Sequence, residues 1–162
     1  RTDHLLDYCV HNLDLAAFLF GEVDAVQASE IGKQAYQVTL HYANGAIGGI
    51  GFVERPGAAP EEQVELTGSA GWMSIRDQSR YRIGSGDRII EVRDANFTTA
   101  GGDGGAVTGH RTELQAFAEA LRDGVRPVSH VEQSYHSMCI YDAVVRAVAS
   151  GGREAVHDRL RS

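Results

Sequence analysis

Hydrophobic residues recur every three or four positions over the first twenty residues of the chain. The residues with this spacing are Leu6, Val10, Leu13, Ala17 and Phe20, and Gly21 follows them. A period of about 3.6 residues is typical of an amphipathic helix, and glycine is the residue that most often follows a helix end. The pattern therefore predicts a first helix that ends at Gly21.

The hydrophobic period then changes to two, beginning near Val23. In the run AYQVTLHYA, apolar residues alternate with glutamine, threonine and histidine, as in a strand with one buried face. Asn44 and Gly45 separate this run from a second extended run, AIGGIGFVE, and Asn-Gly between two strands is a strong hairpin signal. Two more hairpins are predicted, one with strands around 64–67 and 72–75 and one within 80–94 that turns at 84–87.

Two further helices are predicted after a glycine-rich segment at residues 98–109. This segment is predicted to be a surface loop, because it lacks the G-x-G-x-x-G spacing and the Lys-Ser/Thr pair of phosphate-binding loops. One helix carries an apolar stripe from Leu114 to Leu121 and ends at Gly124. The last helix is predicted to start at a capping box formed by Ser129 and Glu132, and to end at Gly151.

The order of these elements predicts an α+β fold. Strands joined by short turns must be mostly antiparallel, so we expect one open, mostly antiparallel sheet of about six or seven strands. Helices are expected to pack on one face of this sheet. The other face is then left for water or for a partner subunit.

Composition and charge narrow the class of protein. The chain has 162 residues, is 43% hydrophobic and carries a formal net charge of −7, without a run of basic residues. This charge disfavours a nucleic acid or an anionic membrane as a partner. No apolar stretch approaches the roughly 18 residues of a membrane-spanning helix. Cys9 and Cys139 lie far apart in apolar helical patterns, so we expect reduced thiols and a cytoplasmic protein.

Three polar residues interrupt the apolar pattern of the first helix. Asp7, His11 and Asp14 are four and three residues apart, which places them on one helix face. Such a face suits acid–base catalysis, in which an aspartate orients the imidazole of a histidine. It also suits a metal site, as in a metal-dependent sugar isomerase, or a purely structural role at the helix dipole. Spacing alone leaves these three interpretations open.

The same segment, LLDYCVHNLDLAAFLFGEV, resembles the start of the C-terminal domain of Gfo/Idh/MocA-type oxidoreductases. The likeness continues in the hairpin VTLHYANGAIGGI, in the glycine hairpin VELTGSAGWMSI and in the closing helices that begin with TELQAF. The resemblance implies that residues 1–162 form one substrate-binding and oligomerisation domain. It also implies that this domain is the C-terminal half of a longer enzyme whose N-terminal Rossmann domain is absent here.

The resemblance assigns roles to the polar helix face. Members of the family transfer a hydride between a sugar-like or polyol alcohol and NAD or NADP. By resemblance, His11 is the proton acceptor, Asp7 orients it, and Asp14 and Asn12 contact substrate or hold the helix. His110 directly precedes the helix at Leu114, where it can reach a polyol hydroxyl.

The sequence also departs from the family, because the dinucleotide-binding domain and the lysine of its Glu-Lys-Pro motif are missing. We therefore expect NAD or NADP to bind the missing half, no cofactor or metal to bind this segment, and the isolated segment to be inactive. Family members commonly pair through the sheet, which implies a homodimer through the open face. Two alternatives remain, namely a non-catalytic sugar-binding or oligomerisation module and a metal-dependent sugar isomerase.

The other histidines and the aromatic residues receive structural interpretations. His41 is expected on the open face of the sheet. The remaining histidines are predicted to be solvated or to cap helices, and these are His4, His130, His136 and His157. Sheet packing is the simplest role for Trp72, Tyr36, Tyr42 and Tyr81.

Overall fold

The fold combines helices with antiparallel strands, as predicted. The computed structural model describes residues 4–32, 35–53, 63–76, 80–94, 110–128 and 130–157, but not the side chains of 4–8, 93–94 and 110. The elements along the chain are α1 (His4–Phe20), β1 (Val23–Ile31), β2 (Ala35–Tyr42), β3 (Ile47–Val53), β4 (Gln63–Gly68), β5 (Gly71–Arg76), β6 (Arg80–Ser85), β7 (Arg88–Asp94), α2 (His110–Asp123), α3 (Val131–Ser150) and β8 (Arg153–Ala155). They confirm the α+β class.

The chain divides into two compact units, one formed by residues 1–56 with 129–162 and the other by residues 57–128. Each unit has its own four-stranded antiparallel sheet, ordered β3-β2-β1-β8 in the first and β4-β5-β6-β7 in the second. The sheets are therefore open and antiparallel as expected, but among the described residues the strands form two sheets rather than one. Hairpin turns pair most strands with the next strand along the chain, whereas β8 pairs with β1 across more than a hundred residues.

The first unit contains the main hydrophobic core. Apolar side chains of α1 and α3 pack against the inward positions of β1, β2 and β3. The buried members are Cys9, Leu13, Val23, Val26, Tyr36, Val38, Leu40, Tyr42, Phe52, Ile140, Ala143, Val144 and Ala147. The alternate positions of β2, such as Gln37, are exposed or half-buried on the opposite face. His41 lies on this face as predicted, where its Nε2 is 3.3 Å from Gln27 Oε1.

The second unit confirms the two predicted glycine hairpins. Thr67 pairs with Trp72 across the first of them, and Trp72 pairs with Gly84 across the next ladder. The Trp72 indole lies over Gly84 so closely that a Cβ there would be 2.5 Å from Cζ2. Its Nε1 donates to the carbonyl oxygen of Gly86 at 2.9 Å. Glycine is therefore required at 84 by the close approach of the indole.

Glycines end the helices where the sequence predicts. Gly21, Gly124 and Gly151 follow the three helices and have φ values of 92°, 65° and 68°. These left-handed conformations carry a steric cost for other residues, which explains glycine at the helix ends.

The predicted capping box at the start of α3 is wrong. The N-cap is His130, whose Nδ1 accepts a hydrogen bond from the backbone N–H of Gln133 at 3.4 Å. Ser129 lies outside the described residues. An imidazole nitrogen can satisfy an exposed helix N–H as a hydroxyl does, so the four-residue motif does not fix the first residue of the helix.

Cys9 is buried, Cys139 is half-buried, and both are reduced cysteines as predicted. None of the helices in the described ranges is long and apolar enough to cross a membrane. The predicted glycine-rich loop at 98–109 lies outside the described residues.

Candidate active site

Helix α1 carries the polar face predicted from the sequence. His11 is exposed and Asp14 is half-buried, and both lie on the helix in the first unit. Residues three apart on a helix have Cβ atoms about 5–6 Å apart, so the imidazole and the carboxylate are neighbours. Asp7 belongs to the same helix, one turn before His11, but its side chain lies outside the description.

Asp14 is joined to the last helix by a short hydrogen bond. The hydroxyl of Ser137 donates to Asp14 Oδ1 at 2.5 Å, across 123 residues of sequence. Ser137 is 2% exposed, so this bond occurs where water is largely excluded. Hydrogen bonds to ionised acceptors are shorter and stronger than neutral ones. The contact therefore fixes one oxygen of the Asp14 carboxylate.

His136, next to Ser137, joins the same helix to the sheet. Its ring is 2% exposed, and its Nε2 accepts a hydrogen bond from the backbone N–H of Val23 at 3.3 Å. The prediction that His136 is solvated or caps a helix is therefore wrong. The ring points inward because position 136 falls on the buried stripe of α3, four residues before Ile140.

A small cleft opens where α1 ends and α3 begins. It has a volume of about 190 Å³, and its lining consists of Ala17, Phe18, Gly21, Glu22, His130, Gln133 and His136. Ala17 and Phe18 are three and four residues after Asp14, so they lie on the helix turn next to the carboxylate. The cleft thus combines an apolar wall with imidazole, amide and carboxyl groups.

The turn between β2 and β3 holds the C-terminal part of α1 in place. The Tyr42 hydroxyl donates to the carbonyl oxygen of Ala16 at 3.4 Å, and its ring centroid is 5.5 Å from that of Phe20. Burial raises the pKa of the Tyr42 phenol above its ordinary value. The side chain therefore stays protonated near neutral pH and acts as a donor to the helix.

Two other residues are predicted for the site, Asn12 and His110. Asn12 lies on α1, but helical geometry rotates it by roughly 200° from Asp14 around the helix axis. His110 begins α2 in the second unit, and its side chain lies outside the described residues. Among the described residues, no three histidine, cysteine or acidic side chains are grouped as metal ligands.

Sequence reasoning missed Ser137 and the inward role of His136. A signal was present, since both are polar residues at positions of α3 that share the buried stripe with Ile140 and Val144. A polar residue on such a stripe needs a hydrogen-bond partner. The partner itself cannot be found locally, because Asp14 and Val23 are more than a hundred residues away.

The fold has relatives among solved structures of dehydrogenases. A levoglucosan dehydrogenase in complex with NADH is 19% identical, with a TM-score of 0.77, and the match covers 95% of this chain and 50% of that one. An oxidoreductase from Agrobacterium radiobacter in complex with NAD+, L-tartaric acid and magnesium is 15% identical, with a TM-score of 0.72 and coverage of 91% and 47%. The WlbA dehydrogenase from Bordetella pertussis, in complex with NADH and UDP-GlcNAcA, is 19% identical, with a TM-score of 0.65 and coverage of 93% and 44%.

These relatives show the fold, and the chain spans about half of their length. No functionally curated protein matches the sequence. A family model described as the oxidoreductase family, C-terminal alpha/beta domain, matches residues 2–156. Because this match covers nearly the whole chain and agrees with the resemblance in the sequence, the chain belongs to the Gfo/Idh/MocA family of oxidoreductases, as a C-terminal alpha/beta domain.

Proposed function

We propose that the chain is the substrate-binding and dimerisation domain of an NAD(P)-dependent oxidoreductase that acts on a CH–OH group of a sugar or polyol. One observation carries the proposal. In a chain of this family, His11 is exposed on α1 beside Asp14, and Ser137 fixes the Asp14 carboxylate. An accessible imidazole next to an anchored carboxylate is suited to take a proton from an alcohol while a second group binds the substrate.

The proposed reaction divides the alcohol's two hydrogens between two acceptors. The hydroxyl proton would pass to a ring nitrogen of His11, and a bound nicotinamide would supply the acceptor for the hydride that leaves the same carbon, so that a C=O bond would form. Asp7 orients the imidazole from one turn earlier, and Asp14 accepts a hydrogen bond from another substrate hydroxyl. Asn12 and His110 are proposed as further substrate contacts.

The nicotinamide cofactor is proposed to bind outside this segment. All strand pairs in the described residues are antiparallel, so they include no βαβ unit of the kind that holds a dinucleotide. We infer that a dinucleotide-binding domain precedes this segment in the full-length enzyme. The related structures support this, because this chain covers about half of each and they are complexes with NADH or NAD+. The segment alone is then inactive.

The substrate class is inferred from the polar groups and from the relatives. Related structures are complexes with L-sorbose, levoglucosan or UDP-GlcNAcA, all of which carry several hydroxyl groups. Hydroxyl donors are the natural partners of His11 and Asp14, which present acceptor atoms. Cys9 and Cys139 are reduced cysteines, which supports the proposal of a cytoplasmic enzyme that acts on a soluble sugar or polyol.

The exposed face of the first sheet is proposed to bind a second copy of the chain. The outermost row across the three strands is apolar, with Ile31, Ala35 and Val53 in register. The next row contains Gln37 and Gly51, and Gln37 Oε1 lies 3.3 Å from the position of a Cβ on that glycine. Glycine therefore lets the glutamine lie along the sheet, which keeps the face flat enough to pack against its symmetry mate.

The proposed activity is tested with the full-length protein. It is incubated with NAD or NADP and a panel of sugars and polyols, and reduced nicotinamide is measured together with the carbonyl product. We expect one equivalent of each per turnover, and loss of both in His11→Ala. Isomerisation without nicotinamide, accompanied by stoichiometric zinc or manganese on elemental analysis, would instead support the isomerase. Binding of sugars without any turnover would support the non-catalytic module.

A further inference from the structure

Ser137 is a buried hydroxyl at a position that packing alone would fill with an apolar side chain. It lies on the stripe of α3 that continues through Ile140, Val144 and Ala147, all of which are fully buried. Burying a hydroxyl is unfavourable unless it is hydrogen bonded. Its Oγ is 2.5 Å from Asp14 Oδ1 and 3.3 Å from the carbonyl oxygen of Gln133. A hydroxyl has one hydrogen, and the shorter contact to the charged acceptor receives it.

The bond constrains Asp14 at the place where the proposed substrate binds. A carboxylate can accept hydrogen bonds at both oxygens, and Ser137 occupies Oδ1. The second oxygen, Oδ2, has lone pairs of its own that can accept a substrate hydroxyl. Because the side chain is held at Oδ1, the direction of Oδ2 relative to the neighbouring His11 is also restricted.

The helix that carries Ser137 is itself anchored. His136 bonds to the backbone of Val23 on β1, so the turn of α3 at 136–137 is joined to the sheet on one side and to α1 on the other. Away from this turn, the contact between the two helices is made by apolar residues such as Leu13 and Ile140. Polar anchoring is therefore found where α3 faces the polar side of α1.

We propose that Ser137 is a positioning residue for substrate binding. It holds the Asp14 carboxylate so that Oδ2 accepts a hydroxyl adjacent to the one that His11 deprotonates. The substrate class that this pair recognises is a vicinal diol, since one hydroxyl meets the imidazole and its neighbour meets the carboxylate. This inference rests on the proposed function of His11 and deepens it.

The test compares Ser137→Cys and Ser137→Thr in the full-length enzyme. Cysteine fills nearly the same space but is a weak donor, whereas threonine keeps the hydroxyl. For a vicinal diol substrate, we expect Ser137→Cys to raise KM roughly tenfold with kcat changed less than about threefold, and Ser137→Thr to restore KM. Ser134→Ala is the matched control, because Ser134 is an exposed serine one turn earlier on the same helix. It should leave KM and kcat unchanged.

Two further measurements separate positioning from a general structural role. In an Asp14→Asn background, Ser137→Cys should add no further increase in KM, because both residues act on the same contact. An analogue lacking the adjacent hydroxyl should show nearly equal KM in wild type and Ser137→Cys. The inference is overturned if Ser137→Cys keeps the wild-type KM while lowering only the unfolding temperature, or if the analogue is affected as strongly as the diol.

A failure of the proposed function can be distinguished from a failure of this inference about Ser137. If His11→Ala retains wild-type turnover, the role of His11 is wrong whatever Ser137 does. If the enzyme binds a diol without oxidising it, the ratio of diol Kd values between Ser137→Cys and wild type still decides the inference. A ratio near ten supports it and a ratio near one overturns it. If no diol binds the wild-type enzyme, both proposals fall together.

Discussion

Asn44 donates a hydrogen bond from Nδ2 to the backbone carbonyl oxygen of Phe20 at 2.9 Å. Its Oδ1 accepts the backbone N–H of Ala46 at 2.9 Å, so one side chain both shapes the β2–β3 turn and caps the carbonyl of the last residue of α1. Helix C-termini carry unsatisfied carbonyl groups that need such donors. The helix that presents His11 is thus held at its end by the neighbouring hairpin.

Asn44→Asp should lower the free energy of unfolding by about 1–2 kcal/mol. Aspartate keeps the acceptor for Ala46, but it cannot donate to Phe20 and it places a negative charge at the negative end of the helix dipole. Urea denaturation of the two proteins measures the difference. Ala43→Asp is the control, because it adds a similar charge at an exposed turn residue and keeps the Asn44 donor. If both variants lose the same unfolding free energy, the added charge alone explains the effect and the Asn44 donor does not contribute.

His136→Leu should lower the free energy of unfolding by about 1–3 kcal/mol. A backbone N–H can only donate, so His136 Nε2 must be the acceptor for the buried N–H of Val23. Leucine fills the space without replacing that acceptor. His157→Leu, at an exposed histidine, should change stability by less than about 0.5 kcal/mol. Similar stabilities for the two variants in urea would show that the His136 contact contributes little.

Local signals explain how much of the fold could be predicted from the sequence. The end of α1 at Gly21 and the hairpin at Asn44-Gly45 depend on residues within a few positions of each other, and both are confirmed. Strand β8 was not predicted, because three residues carry no periodicity and its partner strand β1 is more than a hundred residues away. Arg146 fixes β8 by bonding to Glu154 at 2.7 Å and to the carbonyl oxygen of Ala155 at 2.8 Å.

The candidate site shows the same limit. The face that holds His11 and Asp14 follows from helix spacing, and the helix is confirmed. The Ser137 partner of Asp14 depends on how α3 packs against α1, which no local pattern encodes. The error at Ser129 has a different cause, since several side chains can cap a helix and the motif does not show which one does.

Tyr42 should make the stability of the domain depend on alkaline pH. Burial raises the pKa of its phenol above the unfolded value, which is about 10, so the folded state favours the protonated form. This contribution is fully present below pH 10 and is lost as the pH rises through the folded-state pKa. Tyr42→Phe should therefore reduce the decline in unfolding free energy between about pH 9 and pH 11, measured by urea denaturation. If the unfolding free energy of Tyr42→Phe declines as steeply as that of the wild type, other titrating groups cause the decline.

His11→Ala in the full-length enzyme should lower kcat by about 10²–10⁴-fold, the usual contribution of a general base. The Kd for NAD or NADP should stay near the wild-type value, because the cofactor is proposed to bind the other domain. Asp7→Asn should reduce kcat less and shift the pH–rate profile, since it changes the orientation and basicity of the imidazole but leaves it in place. Turnover is measured by steady-state kinetics. Wild-type turnover in His11→Ala would show that the histidine has a structural role instead.

The exposed face of the first sheet should form a two-fold homodimer in the isolated 162-residue domain. Gly51 leaves room for the Gln37 side chain on this face, and the apolar row of the face includes Ile31 and Val53, which a symmetry mate can cover. Thr39 lies near the middle of this face, in register with Gln27 and Gly49.

Sedimentation velocity at micromolar concentration should therefore give twice the mass of one chain. Thr39→Arg should yield monomers, because it brings like charges together across the two-fold axis. Ala149→Arg, at an exposed position of α3, carries the same charge change and should remain dimeric. A monomeric wild-type domain would show that this face alone does not hold two copies together. A dimer that survives Thr39→Arg would place the interface elsewhere on the domain.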